Sequence, residues 1–172
     1  MADTLQTILE RSSIRAYTDE ALTKEEIDCL IKTGLLAPTA GNRQEIFIAA
    51  ANTADPAVKE MQKLLNPNAE NTFYYGAPEL FLLYGTEGFR WSPCDAGIAV
   101  ENMHLAAKAL GLGSVIIGCI YDIMHGEKAD CLRSALKVPE GYSFEVALAV
   151  GHPNTEKAPH DIDMEKNSAV IG

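Results

Sequence analysis

Two arginines and two serines within five residues, Arg11-Ser12-Ser13-Ile14-Arg15, set forked N–H donors beside hydroxyls. That set suits a phosphate, which such groups hold through charge-assisted and often bidentate hydrogen bonds. The arginines lie four apart, sharing a face if helical and pointing the same way, with Ser13 between them, if extended. Read alone, the same charges also fit surface pairing with Glu10, Asp19 or Glu20, which contributes little. A second run, Ala37-Pro38-Thr39-Ala40-Gly41-Asn42-Arg43-Gln44, is shaped by Pro and Gly and carries side-chain donors and acceptors at Thr39, Asn42 and Gln44. It can read the amide-like edge of a heterocycle, or simply join a helix to a strand. The third run, Ser114-Val115-Ile116-Ile117-Gly118, is an apolar strand ending in a glycine, which either bends the chain or lets a ligand approach the backbone.

The elements that must position these runs follow from periodicity and punctuation. Residues 3–11 read as a helix capped by Asp3 or Thr4. Thr23-Lys24-Glu25-Glu26 is a capping box, and the helix it opens must stop before Pro38. Strands are expected at 45–51, 80–84, 114–119 and 144–150, and further helices at 56–65 and 127–136. The segment Asp95–Leu110 is apolar nearly all round, so it is expected to be buried on every side, which in so short a chain calls for a second copy. Helices and strands interleave irregularly, giving an α+β or α/β fold with one central sheet.

Charge and length narrow the class. The chain has 172 residues and a formal net charge of −10, the length of a single domain, residues 1–172. It lacks the broad positive field that a phosphate backbone needs, so nucleic acid is excluded as a partner, and any anion must be held by a local cluster of donors. No run of about 18 apolar residues spans a membrane, and Met1-Ala2-Asp3-Thr4-Leu5-Gln6 has no signal-peptide pattern. Cys29, Cys94, Cys119 and Cys131 form no CxxC pair and are expected to be buried free thiols in a cytoplasmic protein. His125 and Cys131, six residues apart, share no helical face, and no metal site is expected.

Taken together, Arg11–Arg15, Ala37–Gln44, Asp95–Gly113 (DAGIAVENMHLAAKALGLG) with Ser114–Gly118, and Leu136–Pro153 (LKVPEGYSFEVALAVGHP) resemble the FMN-dependent nitroreductases, in the right order over roughly residues 5–155. The resemblance implies an α+β, nitroreductase-like three-layer sandwich, its mixed, mainly antiparallel central sheet flanked by helices. It also implies an intertwined homodimer with FMN, tightly but non-covalently bound, at the subunit interface. Carried over by position, Arg11, Ser12, Ser13 and Arg15 hold the phosphate and ribityl chain, with Lys157 as a late basic residue. Pro38, Thr39, Ala40, Asn42 and Gln44 reach the flavin of the partner subunit. Ile117 and Gly118 lie along the ring edge through their backbone N–H groups, and Asn71 contacts the ring or ribityl.

The implied activity is FMN-dependent NAD(P)H oxidoreduction: ping-pong hydride transfer through flavin N5 to a nitroaromatic, quinone or related small acceptor. FMN carries that chemistry, so no catalytic side chain is required. Two other functions fit the same resemblance, a flavin-binding or regulatory protein with little turnover, and a flavin enzyme performing dehalogenation or O2-dependent chemistry. The chain departs from the family where Gln44-Glu45-Ile46 replaces Gln-Pro-aromatic, in the sparsely basic tail Glu156–His160, and in a short stretch between Asn66 and Asp95. Trp91, Tyr74 and Tyr75 fall in that stretch and either line a pocket or cover an interface.

Overall fold

The structure is a computed structural model that describes residues 3–171. Helix α1 (Thr4–Glu10) is capped by Asp3, and α2 (Lys24–Leu35) opens on the reciprocal Thr23–Glu26 capping box. After a short 3-10 turn at Ala40–Asn42 come β1 (Ile46–Asn52), α3 (Pro56–Leu65) and β2 (Glu79–Thr86). The 18-residue α4 (Ser92–Ala109) follows, then β3 (Gly113–Ile117), α5 (Tyr121–Met124), α6 (Ala129–Ala135), β4 (Tyr142–Gly151) and α7 (Met164–Asn167).

The four strands form one sheet in the order β1-β2-β4-β3, antiparallel at every pairing. Successive side chains on a strand point to opposite faces, and the core divides accordingly. Leu80, Leu82, Tyr84, Ala147 and Ala149 face Val58 and Met61 of α3, Met124 of α5 and Leu132 of α6. Phe81, Leu83, Leu148 and Val150 face Leu30 of α2 and Ala96, Ala99, Val100, Met103 and Ala107 of α4. Helices therefore cover both faces of an antiparallel sheet, the α+β alternative of the two left open by the sequence. At Gly34 a Cβ would lie 2.7 Å from Ile48 Cδ1 and 2.8 Å from Met103 Sδ, so the missing side chain lets α2 settle against α4.

Within one chain α4 leaves Gly97, Ile98, Lys108 and Ala109 exposed, opposite the stripe that packs on the sheet and on the side for which the sequence expects a second copy. Its two faces differ too little in apolarity for composition to say which one the sheet covers. The cysteines are free but not buried. Cys94, Cys119 and Cys131 are exposed and Cys29 is half-buried, because they occupy outward helix faces or, for Cys119, the turn after β3. The apolar residues Leu5, Leu9 and Leu36 are also left 61%, 58% and 70% exposed.

Candidate functional site

A cavity of about 560 Å³ opens where the end of α1, the second half of α4, the start of β3 and the tail after β4 meet. Its lining includes Arg11, Ser12, His104, Lys108, Ser114 and Lys157. The size is typical of a small-molecule site. Helix α1 ends at Glu10, and Arg11 turns into extended backbone, which carries the chain across the start of β3, where Ile14 N donates to Ser114 O at 3.0 Å. Ser12 Oγ donates to Lys157 O at 2.7 Å and so ties the tail to the same wall.

Within the cavity Arg11 is held on two sides. Its Nη1 lies 2.9 Å from His104 Nε2, and its Nε lies 3.4 Å from Glu101 Oε1. Burial, reinforced by the Arg11 charge, lowers the His104 pKa to about 4, so the ring is neutral at neutral pH. Its Nε2 then accepts from Arg11, and Nδ1–H donates to Ser114 Oγ at 2.5 Å. Burial pushes the Glu101 carboxyl up, with Arg11 opposing it. Lys108 lies 3.7 Å from Glu10, and among the described residues Lys157 has no acidic partner.

Arg15 does not line this cavity; its guanidinium carbon lies 5.6 Å from the centroid of the Tyr75 ring. Ser13 is half-buried beside Ile14, and Asn71 is exposed in a bend before Tyr75. Tyr74 packs against Phe73 inside the chain, and Trp91 stacks under Arg90.

The loop Pro38–Gln44 sits at the other end of α4. Ala40 N donates to Asp95 Oδ1 at 2.9 Å, and Gln44 N donates to Thr39 Oγ1 at 2.9 Å. Asn42 and Gln44 have φ of 53° and 56°, on either side of Arg43, with Gly41 at 64°. Left-handed backbone at non-glycine residues is costly and collects at functional sites. Asn42 Oδ1 accepts from Gln44 Nε2 at 3.3 Å, so both amides are kept at the loop tip. Glu45 is held by Arg43 and Thr86, and those hydrogen bonds lower its pKa. From Asp95 to His104, α4 rises about 13 Å, so a single chain keeps this loop apart from the Arg11 cavity.

At the far end of β3 the Ile117 side chain is buried and Gly118 is exposed. Beyond Gly118 and its two chain neighbours no atom lies within 4 Å of where a Gly118 Cβ would stand, so the backbone there is open to an incoming group. From Ser114 at the cavity to Gly118 the strand runs about 13 Å. That spacing suits an elongated ligand, anionic at one end.

A second cavity, about 240 Å³, lies under the start of β4 beside His125 and Arg133, and none of the expected site residues line it. Among the described residues no three His, Cys, Asp or Glu side chains gather as a metal site, and no helix is long and apolar enough to cross a membrane. From the sequence Asp95 and the Ser114 side chain carry no site role, and His104 reads as a hydrogen-bonded interface residue rather than a catalyst; the structure shows it hydrogen-bonded to Arg11 and Ser114. The available signals were an acid in the first turn of a helix and two polar residues inside apolar runs.

Residues 8–152 match the model of the nitroreductase family. The chain belongs to the nitroreductase family. It is 34% identical over 173 residues to "FMN reductase (NADPH)" of Bacillus subtilis (strain 168), covering 89% of this chain and 67% of that protein. It also superposes on a crystal structure of a nitroreductase with bound FMN from Desulfitobacterium hafniense DCB-2. There the TM-score is 0.87 at 26% identity, with 99% of this chain and 100% of that one covered. An FMN-dependent nitroreductase from Clostridium difficile R20291 gives a TM-score of 0.80 at 27% identity, covering 98% and 99%. The nitroreductase-like sandwich and the family resemblance read from the sequence are thus both borne out.

Proposed function

We propose that this chain, one nitroreductase-like domain over residues 1–172, is an FMN-dependent NAD(P)H oxidoreductase that passes reducing equivalents to a small acceptor by a ping-pong route. The observation that carries the reading is the Arg11, Ser12 and Lys157 cluster at a cavity of about 560 Å³, in a protein whose net charge is −10. A local cationic cluster against an acidic background selects a phosphate by short-range donors, since the overall field repels it. When bound, FMN supplies the acceptance and return of hydride.

The residues divide that task. Arg11, Ser12 and Lys157 hold the phosphate, while Ser13, Arg15 and Asn71 line the way from the cavity toward Tyr75. Gly118, set by the buried Ile117 side chain before it, leaves room for the flat ring against backbone, where N–H groups stabilise developing negative charge. Pro38, Thr39, Ala40, Asn42 and Gln44 serve the site of a second copy, because α4 holds them about 13 Å from their own chain's cavity. A homodimer also covers the exposed Leu5, Leu9 and Leu36 and the outer face of α4. Free cysteines throughout fit a reducing compartment such as the cytoplasm.

An absorption spectrum of the purified protein, repeated anaerobically after NADH and then NADPH, tests the reading. A flavin spectrum that bleaches with either nicotinamide is expected. Bound flavin that neither reduces refutes the enzyme reading in favour of a binding protein, and failure to take up added FMN refutes the site.

A further inference from the structure

We propose that His104 is the positioning residue that gives this site its preference for a phosphorylated flavin, by holding the Arg11 guanidinium on an uncharged acceptor tied to the sheet. The inference rests on the FMN reading above and deepens it. His104 is 2% exposed and bridges two groups: Nε2 takes a hydrogen bond from Arg11 Nη1 at 2.9 Å, and Nδ1 meets Ser114 Oγ at 2.5 Å. Ser114 belongs to β3 and also receives Ile14 N through its carbonyl at 3.0 Å. The Arg11 segment is therefore fastened to one sheet residue twice, once through the backbone and once through the imidazole.

The choice of a histidine matters for charge. A guanidinium has five N–H groups in a fixed plane. Glu101 faces Nε and His104 takes one hydrogen of Nη1, so the second hydrogen of Nη1 and both on Nη2 are left for a ligand. A carboxylate in place of His104 would orient Arg11 equally well but would cancel much of the charge that an anion seeks. A buried aliphatic residue would leave the charge and lose the orientation. A buried neutral ring supplies an acceptor without an opposing charge, and its second nitrogen is fixed by Ser114. Preorganised donors of this kind discriminate through geometry, since a misplaced guanidinium forfeits its bidentate contact.

The measurement is the ratio of riboflavin to FMN dissociation constants, read by flavin fluorescence on the wild-type protein and its variants. Wild type is expected to favour FMN strongly. His104→Leu should lower that preference about ten- to a hundred-fold, while His104→Gln, which keeps an acceptor for Arg11 and a donor for Ser114, should stay within about threefold of wild type. In the Arg11→Met background, His104→Leu should change the ratio little further, because both act through one contact. If His104→Leu does not fold, Ser114→Ala carries the test, and a reduced preference is expected there. Equal weakening of riboflavin and FMN by His104→Leu, or an unchanged ratio in it or in Ser114→Ala, overturns the inference while leaving the FMN site standing. A wild-type protein that binds neither flavin overturns both readings.

Discussion

Glu79→Gln should make the protein more stable in alkaline solution while leaving it nearly unchanged in acid. Glu79 opens β2 between Asn52 of β1 and Val150 of β4, and only 7% of it is exposed. Burial alone raises its pKa from 4.5 to about 7, with no partner charge or hydrogen bond opposing the shift. The folded chain thus keeps the Glu79 proton up to about pH 7, whereas the unfolded chain releases it near 4.5. As pH rises through that window the unfolded state binds fewer protons than the folded one, so stability present below 4.5 is lost by the time pH passes 7. At about 1.4 kcal/mol per pKa unit the loss reaches roughly 3 kcal/mol, of which about 2.5 develops between pH 5 and 8.5. Gln cannot ionise and escapes it. His104 acts in the opposite sense. Its pKa is lowered from 6.5 to about 4, so it withdraws stability as pH falls through that interval. Both proteins share this contribution, and it cancels in their difference. Urea unfolding of both proteins at pH 5 and 8.5, at equal flavin content, gives the comparison. Stability difference between the two that is the same at both pH values would refute the argument.

Other substitutions test the site. Gly118→Ala has free space around its new methyl group and no positive φ, so thermal stability should stay within about 0.5 kcal/mol of wild type. FMN affinity should nevertheless fall at least about tenfold as the backbone is screened; unchanged binding would place the ring elsewhere. Arg15→Ala should weaken FMN binding by about 1.5–3 kcal/mol, read by fluorescence titration. Sedimentation should find a dimer in the flavin-bound protein, and a stable flavin-bound monomer would sink the two-copy site.

Much of the fold was legible because local chemistry and global packing agree. The Thr23–Glu26 box and Pro56 at a first helical turn put the starts of α2 and α3 where they occur. The start of α4 was read at Asp95, three residues late, although Pro93 in its first turn was the available signal. Four-residue α5 was not seen at all, since one turn shows no periodicity. At the site, Arg11 and Ser12 were legible by residue type and Lys157 only through the family resemblance, and all three line one cavity. The place of Arg15 beside the Tyr75 ring was not, because spacing gives direction along a strand but not which partner a long side chain finds. The roles of Asp95, His104 and Ser114 depend on contacts 55, 93 and 10 residues away in sequence, so a polar residue in an apolar run marks the position but not the partner.

The placement of the Thr39–Gln44 loop and of Arg11 toward opposite ends of α4 has a genetic consequence. If paired chains each lend their Thr39–Gln44 loop to the other's cavity, lesions in the loop and lesions at Arg11 strike different pockets of the same dimer. A chain crippled at Arg11 and another crippled at the loop would each be inactive alone. Expressed together, they form mixed dimers in which one pocket inherits both defects and the other inherits none. With random assembly at equal dose, half the dimers are mixed, and about a quarter of all pockets come back intact. Two null alleles of this one gene would then rescue each other.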